Sequence, residues 1–261
     1  MKKRLPKISI ITPSFNQADF IEKTVQSVLC QNYPNLEYIV IDGGSTDGTI
    51  EILKRYRDKL TFISEKDNGQ THAINKGLKL ATGEVVAYLN SDDYLENDSL
   101  IKVGEYFMRN KKSLWCVGKG RTVDENGREV ERAVTKYKSF FLEYLRNIDV
   151  LLIVQFICQP ATFWKKSVIK DVGYFDESLH YSMDYDYWLK LWKKQKPGYI
   201  NATLANYRIH RDSKSYISPE NLFNEALMVA KRFTDSKTIL FLHRYHNYIA
   251  LLIYKLMRSI K

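Results

Sequence analysis

The sequence predicts an α/β protein in which a mostly parallel sheet is flanked by helices and followed by a helical tail at the C-terminus. Short apolar runs typical of buried strands alternate with helical patterns over the first hundred residues. This alternation favours a parallel sheet, because the crossover between two parallel strands usually carries a helix over one face of the sheet. Apolar residues at helical spacing near the C-terminus predict the tail.

The first half of the chain is predicted to contain four strands and three helices. Pro13 closes the first apolar run, and Asp47 stands where an N-cap would start the second helix. The strands are expected at 8–12, 38–41, 60–64 and 85–89, and the helices at 17–30, 47–56 and 70–81.

The second half has a less regular pattern. Strands are expected near 114–123, 157–164 and 198–205, and helices near 97–110, 166–172, 184–195, 219–234 and 238–259. No linker-like segment separates the two halves, so we expect one compact domain with a helical tail.

The composition argues against a membrane-spanning protein and against a secreted one. The chain has 261 residues, of which 44% are hydrophobic and 27% charged. The longest apolar run, around 249–254, is far short of the roughly 20 residues that cross a bilayer, so we expect no membrane-spanning segment. A basic start followed by a short apolar run argues against a signal peptide, and three separated cysteines without a CxxC pair suggest reduced thiols. We therefore expect a cytoplasmic protein.

The formal net charge of +10 lies entirely at the C-terminal end. Residues 1–189 are balanced, whereas residues 190–261 carry 14 basic and 4 acidic residues. This end is expected to meet an anionic partner, which the charge alone leaves open between membrane lipid, a phosphorylated substrate and nucleic acid.

Distinctive polar residues follow three predicted strands, at 12–16, 42–45 and 90–93. Ligands bind at the carboxyl ends of strands in open α/β sheets, so these segments are expected to converge on one site. Asp92 and Asp93 are adjacent carboxylates, which suit Mg²⁺ or Mn²⁺ bridging to a substrate phosphate. The alternative is a solvated loop that caps the helix starting near Asn97.

The motifs of several other nucleotide-binding and metal-binding proteins are missing from the sequence. No GxGxxG follows the first strand, which disfavours a nicotinamide-dependent dehydrogenase. There is no GxxxxGK[ST] of a P-loop NTPase and no HExxH of a zinc protease.

Several ordered motifs carry a resemblance to a known family. They are SIITPSFNQADFIEKTVQSVLCQNYPNLEYIVIDGGSTDGT and EKDNGQTHAINKGLKLATGEVVAYLNSDD, followed later by QPATFWKKSVIKDVGYFDESLHYSMDYDYWLKL and YRIHRDSKS. Together they resemble the inverting glycosyltransferases of family 2, which have the GT-A fold. The resemblance is dense over residues 7–105 and resumes at 159–191 and 207–215.

The resemblance implies a site for a nucleotide-diphosphate sugar. Thr12, Pro13 and Phe15 would border the nucleotide base. Asp42 would contact the base or the ribose.

The resemblance also implies a metal and a catalytic base. Asp92 and Asp93 match the family's acidic motif, with Asp93 as the direct ligand of an Mn²⁺ or Mg²⁺ ion on the donor diphosphate. Asp184 matches the general base, and His210 matches a position that assists the diphosphate or the metal in some members.

Four positions depart from the family pattern. Asn90 replaces a frequent first Asp of the acidic motif, and Gly43 replaces a frequent second Asp of the base-binding motif. Ile74 stands where many members carry an Arg for the diphosphate, and Met183 replaces a frequent Glu before the catalytic position.

The chemistry of inverting transfer gives partly independent support for Asp184. A hydroxyl that displaces a leaving group at the anomeric carbon must lose its proton, and a carboxylate within hydrogen-bond reach can accept it. Asp186 is two residues away on the predicted helix and cannot face the same cleft, so we expect it to cap the helix or to pair with a basic residue. The alternative for Asp184 is a plain N-cap role.

Alternatives stay open for two other groups. His210 is either a ligand of metal or phosphate or a structural histidine. The aromatic residues around the predicted base either line a sugar site or form core, namely Tyr181, Tyr185, Tyr187 and Trp188.

The predicted domains are 1–215, with a nucleotide-sugar half (1–105) and an acceptor half (106–215), and a basic helical extension (216–261). The predicted function is inverting transfer of a hexose or N-acetylhexosamine to a glycan or a lipid-linked oligosaccharide in cell-surface polysaccharide biosynthesis. The alternatives are a metal-dependent nucleotidyltransferase and a non-catalytic nucleotide-sugar-binding protein. We expect no nucleic-acid partner, because no such motif accompanies the basic charge.

The last predicted helix has one apolar face with Lys and Arg beside it. Such a helix can lie in a membrane interface, so we expect peripheral attachment to the inner face of the cytoplasmic membrane. The alternatives are that this face packs back on the domain or forms a dimer contact.

Overall fold

Strands and helices alternate along the chain around one central sheet. The computed structural model describes residues 4–211 and 213–259, without the side chains of 215, 216 and 255–259. The strands over these residues are β1 (Ile8–Ser14), β2 (Leu36–Asp42), β3 (Thr61–Ser64), β4 (Val85–Tyr88), β5 (Tyr94–Leu95), β6 (Trp115–Val123), β7 (Thr162–Lys165) and β8 (Gly198–Arg208). The α-helices over the same residues are α1 (Ala18–Leu29), α2 (Thr49–Lys54), α3 (Gln70–Leu80), α4 (Ser99–Arg109), α5 (Arg132–Tyr144), α6 (Ile148–Ile153), α7 (Ile169–Val172), α8 (Met183–Lys194), α9 (Lys214–Ile217), α10 (Pro219–Phe233) and α11 (Lys237–Ser259).

The sheet has the strand order β3-β2-β1-β4-β7-β6-β8-β5. In the first half of the chain, β1 pairs in parallel with β2 and β4, and β2 pairs in parallel with β3. In the second half, β7 runs antiparallel to both β4 and β6, β8 is parallel to β6, and β5 is antiparallel to β8. The predicted α/β fold with a flanked sheet and a C-terminal helix is confirmed, and its parallel part is the N-terminal half.

The strands of the first half are apolar without alternation because helices cover the sheet. Every residue of β1 and of β4 is buried. Helix α3 lies very close to β1, because a Cβ added at Gly77 would stand 2.3 Å from Cγ2 of Ile11. Only a glycine at this position lets the helix approach that closely.

The segment between β6 and β7 was not assigned any element from the sequence, yet it contains α5 and α6. In α5 only Leu142 is fully buried, and the other apolar side chains of the helix face outward or lie partly covered. The strand expected near 157–164 is shorter than predicted, because a 3₁₀ turn at Gln159–Ala161 precedes β7.

The C-terminal helices pack against the rest of the chain. Helix α10 contacts α8, and α11 contacts α6 and α10. His243 is fully buried, its Nδ1 lies 2.6 Å from the carbonyl oxygen of Leu152, and its Nε2 lies 2.8 Å from Nδ2 of Asn247. One face of α11 is therefore attached to the domain, and the proposed boundary at residue 215 stays a prediction. Across the described residues, no helix has the length and apolar character to span a bilayer.

Candidate active site

Three strand ends meet at one edge of the sheet, as the sequence predicts. Ser14 at the end of β1 is in register with Asp42 at the end of β2, and β4 leads into the segment 90–93. From the other half of the chain, Arg208 at the end of β8 and His210 just after it contact the segment 90–93.

The carboxylate of Asp42 organises the loop that follows β2. It is fully buried and accepts hydrogen bonds from the backbone N–H of Gly44 (3.1 Å) and Ser45 (2.9 Å) and from the hydroxyls of Ser45 (2.5 Å) and Ser64 (2.7 Å). Its acceptor capacity is thus used within the protein. The predicted contact between Asp42 and a base or ribose stays a prediction, and the described bonds give this residue a role in shaping the loop.

The three residues expected to border a base differ in exposure. Thr12 and Pro13 are buried, and the Thr12 hydroxyl lies 3.1 Å from that of Tyr38. Phe15 is 58% exposed and is the one whose ring stands at the surface. An exposed aromatic ring at a strand end offers a stacking face.

Asp67 is a further carboxylate at this edge that sequence analysis did not single out. A Cβ added at Gly43 would lie 3.1 Å from Oδ2 of Asp67, so the glycine leaves room for this side chain. The other oxygen, Oδ1, accepts from the N–H of Gly69 at 2.8 Å. Because Asp67 follows the third strand, the strand-end rule applied to β3 would have found it.

Asp93 is fully buried at the end of the acidic segment. Its Oδ1 accepts from the backbone N–H of Arg208 (2.8 Å), and its Oδ2 from Nδ2 of Asn90 (3.3 Å). Burial, followed by the charge of neighbouring Asp92, raises the pKa of Asp93 well above its usual range. This is the mutual cost expected of adjacent carboxyls, and a cation at the site would relieve it.

Asp92 pairs with His210. Its Oδ2 lies 3.0 Å from Nε2 of His210, which is buried beside the ring of Phe20 at a centroid distance of 4.4 Å. Nδ1 of His210 is buried and has no hydrogen-bond partner in the part of the chain that the structure describes. The structure thus brings His210 to the acidic segment.

The donor atoms at this segment suit Mn²⁺ or Mg²⁺, which bind carboxylate oxygens. The buried Asp93 and the more exposed Asp92 could offer carboxylate oxygens to such an ion, whereas Nε2 of His210 is already paired with Asp92. Over 4–211 and 213–259 there is no group of three or more His, Cys, Asp or Glu side chains placed to hold a metal ion by themselves. The remaining coordination positions would fall to substrate phosphate and water, which is usual for Mg²⁺.

Arg208 is a buried cation that sequence analysis quoted within YRIH but gave no role. Its guanidinium lies over the rings of Phe20 (5.0 Å) and Tyr94 (5.2 Å), and its charge acts on both Asp92 and Asp93. Its Nε and Nη2 are buried without a hydrogen-bond partner among the described residues. Arg208, at the end of β8, therefore offsets part of the negative charge of Asp92 and Asp93.

Asn90 shows why an amide can replace the carboxylate frequent in the family. Its Oδ1 accepts from Nε2 of Gln70 (2.7 Å), and its Nδ2 lies 3.3 Å from both Oε1 of Gln159 and the Asp93 carboxylate. Only an amide both accepts and donates in this way, and a carboxylate here would add a third negative charge. Asn90 therefore joins the acidic segment to α3 and to the segment before β7.

Asp184 lies in the first turn of α8, behind the N-cap residue Ser182. The plain N-cap alternative is therefore not what the structure has. Burial raises the pKa of Asp184 to about 6. The charges of Asp93 and Asp184 both contribute, after burial, to raising the pKa of the Cys158 thiol to about 12, so the two carboxyls lie near the same side chain. A carboxylate with a pKa near neutrality at such a strand-end site is suited to general base catalysis.

Asp186 is paired, as expected. It is fully buried, its Oδ2 lies 2.7 Å from Nζ of Lys190, and its Oδ1 lies 3.4 Å from Nη1 of Arg232. The aromatic side chains that follow Asp184 belong mostly to the core, since Tyr185, Tyr187 and Trp188 are buried and the ring of Tyr187 stacks on Phe175 at 4.1 Å.

Glu225 of α10 holds the segment that leads into Asp184, and sequence analysis did not find it. Its carboxylate accepts from three successive backbone N–H groups, those of His180 (2.8 Å), Tyr181 (2.6 Å) and Ser182 (2.6 Å). These groups precede the first turn of α8, where N–H donors lack intrahelical partners. A residue of the C-terminal region thus positions the helix start that carries Asp184.

Replacing Glu225 with alanine is expected to lower the free energy of unfolding by about 1.5–3 kcal/mol, because charged hydrogen bonds to backbone N–H groups are lost. Turnover should fall as well, since the start of α8 loses its anchor, while donor affinity stays near that of the wild type. Denaturant unfolding and steady-state kinetics measure the two effects. Asn224→Ala, at an exposed position of the same helix, is the control, and equal stability of both variants would contradict the capping role.

The family model described as Glycosyl transferase family 2 matches residues 9–173. The match covers more than half of the chain and includes the three strand ends and the acidic segment. The chain belongs to glycosyltransferase family 2. The resemblance stated from the sequence is thereby confirmed, and this family 2 glycosyltransferase has relatives of similar length and similar fold.

Among curated relatives, TuaG of Bacillus subtilis (strain 168), named as a teichuronic acid biosynthesis glycosyltransferase, is 32% identical over 80% of this chain and 82% of its own length. Two further relatives are longer, namely the glycosyltransferases RT0329 of Rickettsia typhi and RP339 of Rickettsia prowazekii. Each is 28% identical over 78% of this chain, and the match covers 64% of its own length.

Two solved structures show the fold. The Staphylococcus aureus TarS fragment 1–349 in complex with UDP-GlcNAc has a TM-score of 0.69 at 23% identity, covering 93% of this chain and 72% of that chain. The mannosyltransferase PcManGT of Pyrobaculum calidifontis in complex with GDP-Man and Mn²⁺ has a TM-score of 0.66 at 20% identity, covering 97% and 74%. The GT-A fold expected from the resemblance is therefore confirmed.

Proposed function

We propose that this glycosyltransferase transfers a hexose or an N-acetylhexosamine from a nucleotide-diphosphate sugar to a glycan or lipid-linked acceptor, with inversion at the anomeric carbon. The observation that carries the proposal is the Asp184 carboxylate, whose pKa is raised to about 6 and which lies near the same thiol as Asp93. A direct displacement requires a base for the acceptor and a group that binds the leaving diphosphate at the same site.

We assign the donor only as a nucleotide-diphosphate sugar, without naming its base. Of the two solved structures, one is a complex with a UDP-sugar and the other a complex with a GDP-sugar, so this fold accepts more than one base. At the strand ends, the exposed ring of Phe15 offers a stacking surface, and the Asp67 carboxylate offers a hydrogen-bond acceptor beside the loop that Asp42 shapes. These groups would hold the nucleoside, with Thr12 and Pro13 beneath it.

Charge at the acidic segment suits the diphosphate. Asp92, Asp93 and His210 would hold Mn²⁺ or Mg²⁺, which when bound supplies positive charge to the leaving diphosphate. Arg208 contributes a cation on the same side, within electrostatic reach of both carboxylates. This arrangement compensates for Ile74, which is fully buried and lacks the charge of the Arg found in many members.

Asp184 would act on the acceptor. Burial keeps its carboxylate less stable as an anion than in water, which makes it a better proton acceptor near neutral pH. The acceptor hydroxyl would give its proton to Asp184 as its oxygen attacks the anomeric carbon from the face opposite the leaving diphosphate. Glu225 holds the start of α8 and so keeps this carboxylate in place.

The acceptor belongs to cell-surface polysaccharide biosynthesis, in keeping with the name of TuaG. We place the enzyme in the cytoplasm, where nucleotide sugars would reach it, with its basic C-terminal extension on the inner face of the membrane. The extension has 7 basic and 3 acidic residues and so carries +4 of the net charge, and no nucleic-acid partner is needed to explain it.

A donor panel in Mn²⁺ tests the reaction class. We expect release of a nucleoside diphosphate from one of the UDP-, GDP- or dTDP-sugars, with little release from the others, and faster release when an acceptor extract is added. Asp184→Asn is the matched control and should not respond to the acceptor. Release of pyrophosphate instead would indicate a nucleotidyltransferase, and donor binding without any release would indicate a non-catalytic binding protein.

A further inference from the structure

Two helices expose apolar faces on neighbouring parts of the surface. We call the exposed residues of α5 and α11 the two-helix surface. They are Tyr137, Phe140 and Tyr144 of α5, and Phe241, Leu242, Tyr245, Tyr248, Ile249, Leu252 and Ile253 of α11.

Helix α11 has the reverse of the usual amphipathic arrangement, with polar residues on its buried face and apolar residues on its exposed face. The face that packs on the domain carries the polar pair His243 and Asn247, whereas large apolar side chains point to solvent. Phe241 and Tyr248 are 65% and 60% exposed. With about 100° of turn per residue, positions 241, 245, 248 and 252 fall on one stripe, and this stripe lies away from the buried pair.

Helix α5 shows the same arrangement on a shorter length. Leu142 faces the core, while Phe140 is 51% and Tyr144 68% exposed. Isolated exposed apolar residues are ordinary, but a run of them on one face of a helix is not needed for packing.

The two apolar faces are contiguous. The ring of Tyr137 on α5 stacks on the ring of His246 on α11, with centroids 6.1 Å apart and an interplanar angle of 9°. On α11, Leu242 and Ile249 lie next to His246 on the helix surface, so the apolar stripe continues across this stack.

The charges around the two-helix surface are positive. Helix α11 has no acidic residue in its sequence and includes the exposed Lys237 and Arg244. Helix α5 carries Lys136 and Lys138, together with Arg132, which pairs with Glu129 at 3.5 Å. Its single acidic residue is Glu143, whose carboxylate pairs with Lys119 at 2.9 Å.

We propose that the two-helix surface, and not the C-terminal helix alone, lies on an anionic lipid leaflet. An amphipathic helix with basic residues beside its apolar face binds at the headgroup level of such a leaflet. A second copy of the chain fits less well, because a symmetric contact through this surface would bring the basic residues of both copies together. Binding of this surface to lipid is argued from its apolar and basic residues, and the inference rests on the proposed function only in assuming that the acceptor is lipid-linked.

Helix α5 connects this surface to the candidate base. The charge of Lys138 acts both on Asp184 and on His246 of the stack. Helix α5 thus has its apolar side chains on the proposed lipid side and Lys138 within electrostatic reach of Asp184.

Vesicle sedimentation of the full chain tests the proposal. We expect binding to vesicles that contain phosphatidylglycerol, much weaker binding to phosphatidylcholine alone, and loss of binding at high salt. The double variant Phe140→Ser/Tyr144→Ser on α5 and the double variant Tyr245→Ser/Tyr248→Ser on α11 should each bind at least about tenfold more weakly. Tyr174→Ser, at an exposed aromatic outside the surface, is the matched control.

A charge variant gives a second measurement that does not alter the apolar side chains. Lys136→Gln should weaken binding to anionic vesicles about fivefold and leave binding to neutral vesicles unchanged. Wild-type binding by the α5 variants would overturn the proposal, and so would absence of vesicle binding or a dimer in light scattering that the α5 and α11 variants dissociate. With a water-soluble acceptor, all variants should release nucleoside diphosphate as the wild type does. If the wild type itself released none, the proposed function would be contradicted, and the vesicle-binding result would still stand.

Discussion

Asp184→Asn is expected to lower sugar transfer by roughly 10²–10⁴-fold while donor binding persists, because asparagine cannot accept the proton of the acceptor hydroxyl. The pH dependence gives an independent readout. Burial disfavours the anion and raises the pKa of Asp184 to about 6 from an ordinary value of 3.8, so the active, deprotonated base is lost as the pH falls through about 6. The acid limb of kcat/KM should therefore lie near pH 6, about tenfold lower for each further pH unit.

Asp186→Asn is the control for this prediction. That carboxylate is buried against Lys190 and Arg232, so its replacement should reduce stability while the acid limb of the rate profile stays in place. Near-normal turnover by Asp184→Asn, or an acid limb near pH 4 in the wild type, would move the role of base away from Asp184.

Removal of the divalent ion is expected to have the second large effect. Excess chelator, or Asp93→Asn, should weaken donor binding by at least about tenfold to a hundredfold, because replacing even outer-shell partners of metal ligands has effects of this size. Asparagine keeps an acceptor for the N–H of Arg208 and so preserves the local fold. Calorimetric titration with the donor, in Mn²⁺ and in chelator, measures the change.

Asp98→Asn serves as its control, since Asp98 is exposed and has a positive φ of 59° that asparagine adopts readily. Full donor affinity in excess chelator would remove the metal from the mechanism and leave Arg208 as the remaining buried charge at the diphosphate.

The regular part of the fold was accessible from the sequence because its strands are covered on both faces. The apolar runs that predict β1, β2 and β4 coincide with the observed strands to within two residues. Helix α5 was missed because its apolar residues do not keep to one face: Leu142 is buried in the core, whereas Phe140 and Tyr144 are exposed, so no single helical stripe stands out in the sequence.

The candidate site also has a part that the sequence predicted and a part that it did not. The strand-end motifs predicted its location, since topology alone brings the ends of parallel strands together. Glu225 and the pairing of His210 with Asp92 join residues far apart in the chain, and no local pattern signals such contacts. Asp42 has a strand-end position of the expected kind, but its hydrogen bonds depend on how the following loop folds back.

The cap that Glu225 places on the start of α8 has a consequence for engineering. Exchanging the last helices with those of a relative, to redirect the enzyme to another surface, would also exchange the acceptor of three N–H groups in front of the proposed base. A graft at residue 215 is therefore expected to retain activity only when the incoming helix carries a carboxylate at the place of Glu225. The C-terminal helices would, in this sense, help to position the proposed base.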